Sequence, residues 1–132
     1  MVGTAIGDAF FASDLGQRMK HARTLYRELP FTLAIPAREV RPELAESADE
    51  KIIVQGVIDC LFEEADGRLV LLDFKTDHIA AEPTEAAIAQ LRDRYGEQLQ
   101  YYKRAVEEIW KREVAESYLY LFAGGFSLSF PA

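Results

Sequence analysis

The chain has 132 residues and 14.9 kDa, with 49% apolar and 28% charged residues, which fits one soluble globular domain and excludes a disordered tail, a fibre or a multi-domain motor. Acidic residues outnumber basic ones 22 to 15, and the net charge of −7 repels a polyphosphate, so any nucleic acid must be held by something besides this long-range field. Cys60 is the only cysteine, which excludes an internal disulfide and a cysteine-cluster metal site, and no apolar run approaches the roughly 20 residues of a membrane helix; no signal segment opens the chain, and a cytoplasmic location without membrane contact is expected.

Gly7 to Tyr26 carries Phe10, Phe11, Leu15, Met19, Ala22 and Leu25 at three- and four-residue steps, and reads as one amphipathic helix ended by Pro30. Phe31 to Val40 reads as a strand whose Pro36 favours an edge or a bulge, and residues 41–50 as a solvated connection. Ile52 to Phe62 is β-branched and apolar on both parities, the pattern of a central strand covered on both faces. A polar turn through Asp66-Gly67 leads to Arg68–Thr76, so the two strands form an antiparallel hairpin.

Helical patterning resumes over Thr84–Arg94 and Glu97–Arg112, with a break expected at Tyr95-Gly96 and Leu99, Tyr102, Val106 and Ile109 along one stripe. Ser117–Phe122 is the next strand, and Gly124-Gly125 turns the chain into a short terminal strand, Phe126–Phe130. The class is α/β: a mixed central sheet flanked by helices in αβββαβ order, with a helix returning the chain from the third strand to the fourth.

Charge inside the two most apolar strands demands an explanation. Asp59 lies in GVIDCLF, and Asp73 and Lys75 lie in LVLLDFKTD; a carboxylate withdrawn from water is paired, protonated or coordinated. Asp73 and Lys75, two apart in a strand, share a face, and the hairpin can bring Asp59 alongside Asp73. Two adjacent carboxylates repel unless a divalent cation lies between them, and oxygen ligands select Mg²⁺ or Mn²⁺, which can activate a water for attack on phosphorus. Chance alone supplies about one acid-x-lysine triplet in a chain of this composition, so the apolar strand context carries the weight. A structural Asp73–Lys75 ion pair with Asp59 capping a turn is the alternative. Gln98 and Tyr102, one helical turn apart, could contact a nucleic-acid strand, although Tyr102 also falls on the core stripe.

Gly56-x-x-Asp59, Asp73-Phe74-Lys75 and Gln98-x-x-x-Tyr102, in that order on strand, strand and helix, resemble the RecB-type branch of the PD-(D/E)XK nucleases. The flanking segments FFASDLGQRM (10–19), YRELPFTLAIPAREV (26–40) and VQGVIDCLFEEADGRLVLLDFKTD (54–77) are similar to the nuclease domains of AddAB-type helicase–nucleases, over almost the whole chain. The resemblance implies a restriction-endonuclease-like core that cuts single-stranded DNA as a helicase delivers it during double-strand-break repair. Asp59, Asp73 and the Phe74 carbonyl would hold Mg²⁺, with Mn²⁺ as substitute, and Lys75 would be the catalytic lysine. Gln98 and Tyr102 would support the site and the DNA path, and Glu28 would be an upstream acid, unless it is a solvated residue at a helix end.

The same resemblance implies a fragment of a longer helicase–nuclease polypeptide, with the remainder of that polypeptide and an AddB-type protein as partners and ATP bound only in a motor outside these residues. No G-x-x-x-x-G-K-[ST] phosphate loop is present, and the family's upstream histidine is not matched: Gly3-Thr4-Ala5-Ile6 is followed by Gly7, and His21 and His78 stand in other contexts. A catalytically incomplete docking or DNA-guiding module of the same fold is the second reading.

Overall fold

Five strands in one mixed sheet organise the chain in the computed structural model, which describes residues 8–40, 50–76, 84–122 and 125–130. Helices α1 (Asp8–Ala12) and α2 (Asp14–Lys20) precede β1 (Thr24–Pro36) and the single turn α3 (Ala37–Val40). Then come β2 (Lys51–Glu63), β3 (Leu69–Lys75), the 26-residue α4 (Glu85–Trp110), β4 (Val114–Leu121) and β5 (Phe126–Phe130). The strands lie side by side in chain order, antiparallel except for the parallel pair β3 and β4. A parallel neighbour requires a crossover, which α4 supplies. The α/β class, the mixed sheet and the αβββαβ order are therefore as expected.

Three boundaries differ from the sequence reading. The expected helix over 7–26 stops at Lys20, and Ser13 divides it, its hydroxyl accepting from the Gly16 N–H at 3.1 Å as the N-cap of α2. A Cβ on Gly16 would lie 1.9 Å from the Phe10 carbonyl oxygen, so only glycine lets the two helices meet this closely. Residues 24–29, whose apolar spacing imitates a helix, are claimed by a ladder with β2 running from Thr24↔Glu63 to Pro36↔Lys51. Pro30 thus lies within a strand; β1 is an edge, where a missing N–H is tolerated, and residues 37–40 are helical. Finally, α4 passes through Tyr95-Gly96 unbroken. Glycine costs about 1 kcal/mol in a helix, and burial of Leu91, Leu99, Tyr102, Ala105 and Val106 outweighs it; Ile109, by contrast, is exposed. The connection at 41–49, the segment around His78 and Gly3–Gly7 lie outside the described residues.

Each face of the sheet has its own cover. Leu99, Tyr102, Ala105 and Val106 of α4 pack on Phe31, Leu33, Ile58, Leu61, Leu69 and Leu71. Phe10, Leu15 and Met19 of α1 and α2 pack on Cys60, Phe62, Val70, Leu72 and Phe74. β3 is buried on both faces from Leu69 to Phe74, as is β2 from Cys60 to Phe62, whereas the first half of β2 alternates between half-buried and exposed. Among the described residues, no helix is long and apolar enough to cross a membrane.

Arg18 ties these layers together. Its guanidinium makes two hydrogen bonds to Glu64 (2.8 and 2.9 Å) and two to Glu116 (2.9 and 3.1 Å), joining α2 to the β2–β3 turn and to β4. Those carboxylates hold the Arg18 pKa well above its ordinary value.

Candidate active site

The hairpin of β2 and β3 is zipped only partway, from Glu63↔Leu69 to Cys60↔Leu72. Beyond that point β3 continues beside β4 as far as Lys75↔Leu121. The Asp59 carboxylate spans the gap where the β2 ladder stops, its Oδ2 accepting from the Phe74 N–H at 2.9 Å. Asp59 therefore caps a strand N–H, not a turn.

On β3, the alternation that sends Val70, Leu72 and Phe74 toward α1 and α2 sends Asp73 and Lys75 toward α4. Asp73 is 2% exposed, and its carboxyl neighbours that of Asp59. The Lys75 ammonium lies 3.1 Å from Asp73 Oδ2 and donates to Gln98 Oε1 at 3.0 Å. It also lies 4.6 Å from the centre of the Tyr95 ring.

Burial raises the Asp73 carboxyl to about 7, aided by the neighbouring Asp59 carboxylate, and Lys75 offsets only part of this. Tyr102 is pushed up to about 12, by burial first and then by the fields of Asp73 and Asp59, which places its phenol within electrostatic reach of both acids. Tyr102 also packs edge-on against Phe31, with ring centres 5.4 Å apart. A Cβ on Gly56 would lie 2.8 Å from the Phe31 ring and 3.4 Å from that of Tyr102, so glycine makes room for the pair. Beside them an open cleft of about 410 Å³ is lined by Val54, Gln55, Gly56, Arg94, Gln98 and Tyr101.

The structure therefore brings Asp59, Asp73, Lys75 and Gln98 together, with Tyr102 adjacent. Glu28 is not at a helix end. It sits in β1 between the pairs Arg27↔Cys60 and Leu29↔Ile58, where the ladder skips both Glu28 and Asp59, and it is exposed with φ 51°. Tyr95 was hidden by its reading as a helix break; its place three residues before Gln98, one turn along the same face, is the signal that could have found it.

The donor set suits a divalent cation. Asp73 Oδ2 is buried and makes no hydrogen bond, its ammonium contact being misaligned for one, and carboxylate oxygens are the hard ligands such ions select. Among the described residues, no group of three or more His, Cys, Asp and Glu side chains is gathered to hold a metal.

Residues 5–127 match the PD-(D/E)XK nuclease superfamily, and the chain belongs to that superfamily. Its members generally use divalent metal ions. Relatives include the ATP-dependent helicase/nuclease A-subunit of Geobacillus thermodenitrificans, 44% identical over 124 residues, which are 92% of this chain and 10% of that protein. The corresponding helicase/nuclease protein of Bacillus licheniformis is 47% identical over 125 residues, again 92% and 10%. That of Pelotomaculum thermopropionicum is 50% identical over 121 residues, 91% of this chain and 9% of the relative. The chain thus spans about a tenth of the length of these relatives.

Proposed function

We propose that this domain hydrolyses phosphodiester bonds of single-stranded DNA, as the metal-dependent exonuclease part of an ATP-driven helicase–nuclease that processes double-strand breaks. The observation that carries the reading is the meeting of Asp59, Asp73 and Lys75 where β2 and β3 part, with Gln98 reaching in from α4. Asp59, Asp73 and the Phe74 carbonyl would hold Mg²⁺, for which Mn²⁺ can substitute. When bound, the ion supplies Lewis-acid polarisation of the phosphate and a more acidic water.

The chain's own residues do the rest. Asp73, whose carboxyl is raised to about 7, would lose its proton on holding a cation together with Asp59. Lys75, held by Gln98, presents an ammonium that orients the attacking water or neutralises charge developing on the phosphate oxygens. Tyr102 lines the cleft beside Gln98 and supports the strand's path, and Glu28 of β1 would be the upstream acid. The net charge of −7 supports a reading in which DNA is gripped by the remainder of the longer polypeptide and an AddB-type partner; ATP would be bound only in the motor, and the assembly would be cytoplasmic.

The test is cleavage of end-labelled single-stranded DNA by the full-length polypeptide and by this domain, with Mg²⁺, Mn²⁺ or chelator. Metal-dependent cutting that disappears in Asp73→Ala and Lys75→Ala, with unwinding intact, is expected. Normal cutting by either variant overturns the assignment; silence of the parent polypeptide with every metal points instead to a docking module.

A further inference from the structure

We infer that Tyr95 is a positioning residue for Lys75, its ring face fixing the direction in which the ammonium points; the inference rests on the nuclease reading, which gives Lys75 its role. At 4.6 Å from the ring centre, the ammonium is well inside the roughly 6 Å range of a cation–π contact. Its other partners are Asp73, two residues away on the same strand, and Gln98 on α4. Tyr95 and Gln98 are three residues apart in a continuous helix, so one face of α4 delivers both.

A lysine needs such guidance. Its charge sits on a flexible four-carbon stem with three donors, and two oxygen partners leave it free to swing about the line joining them. A further oxygen partner would draw off another donor. The ring attracts the cation as a whole through its quadrupole, so a donor remains for a water or phosphate oxygen. The ring is itself held, because Tyr95 packs against the cluster of Leu91, Leu119, Leu121 and Leu128 and cannot follow the lysine if it drifts. The contact thus couples the direction of one side chain at the end of β3 to the hydrophobic packing of α4 on β4 and β5.

The experiment replaces Tyr95 in the full-length polypeptide with phenylalanine and then with mono-, di- and trifluorinated phenylalanines, which keep the ring's shape while draining its quadrupole. Single-turnover cleavage of single-stranded DNA is read with Lys75→Ala as reference. Tyr95→Phe should cleave within about twofold of the parent, and the rate constant should fall stepwise with fluorination to about a tenfold loss, with KM and Tm unchanged. A flat series, or one that moves only KM or Tm, overturns the inference while the loss in Lys75→Ala leaves the nuclease reading standing. Normal cleavage by Lys75→Ala overturns the reading itself. In the metal-free domain, the Lys75 ε-methylene protons should resonate upfield in parent and Tyr95→Phe and at ordinary shift in Tyr95→Leu; no difference among the three also overturns the inference.

Discussion

Glu28 and Asp59 are the two positions that the β1–β2 ladder skips, between Arg27↔Cys60 and Leu29↔Ile58, and there both strands lose their alternation. On β1 the residues directed to α4 are Tyr26, which stacks edge-on with Trp110, and then Leu29, Phe31 and Leu33. On β2 they are Ile52, Val54, Gly56 and Ile58, and then Leu61. A step of three interrupts the steps of two at the same place on both strands, with Glu28 at φ 51°. Glycine takes this conformation freely, whereas residues with a Cβ do not. Glu28→Gly should therefore be more stable than Glu28→Ala by about 1 kcal/mol in urea unfolding. Both should lose cleavage if the carboxylate serves the site, so that gain in stability and loss of function separate.

The raised Asp73 pKa gives stability a definite slope. Its ordinary value is 3.8 and its folded value about 7; between them the folded state binds more proton than the unfolded one, so stability of the metal-free domain falls as pH rises from about 4 to about 7 and levels above. Asp73→Asn keeps a neutral donor beside Asp59. It should flatten that slope and stabilise the domain at pH 8 by about 1–2 kcal/mol. Mn²⁺ should raise the Tm of the parent at pH 8 and leave that of Asp73→Asn unmoved.

Gly56 offers a steric test of the cleft. In Gly56→Ala the new methyl must displace Phe31 or Tyr102, and overpacking of this kind costs about 1–3 kcal/mol. Thermal unfolding should show the loss, and pairing the change with Phe31→Leu should recover part of it.

Arg18 is a purely structural anchor, and its loss should leave chemistry alone. Arg18→Ala leaves Glu64 and Glu116 with only the longer contacts of Arg68, at 3.8 and 3.7 Å, and the Tyr118 hydroxyl on Glu116, at a cost of about 1–3 kcal/mol. Arg18→Lys should recover only part, because an ammonium cannot serve two carboxylates through paired hydrogen bonds. Cleavage per folded molecule should be unchanged in both.

Much of this was legible in the sequence, for physical reasons. The hairpin of β2 and β3 and the shared face of Asp73 and Lys75 follow from a period of two and an Asp-Gly turn. The start of β1 did not, because Ala22 and Leu25 fall on helical spacing while the ladder that claims this region is made with residues far along the chain, Thr24 pairing with Glu63. The unbroken α4 was masked by local glycine propensity, which burial overrides, and that error concealed Tyr95. Where Asp59 points was also invisible: its bond to the Phe74 N–H depends on the hairpin opening at Cys60↔Leu72, which no spacing announces.

The topology also orders the assembly of the site in time. Asp59 and the Phe74 N–H are 15 residues apart and meet through a tight hairpin, a contact that local chain closure forms early. The parallel partner of β3 comes only after α4 has been laid across the sheet, a longer and slower closure. A nascent chain with only its first three strands in place carries both acids but lacks the helix that steadies the lysine. On the nuclease reading, the site is complete only in a chain long enough to include α4 and β4, not in one that ends at β3.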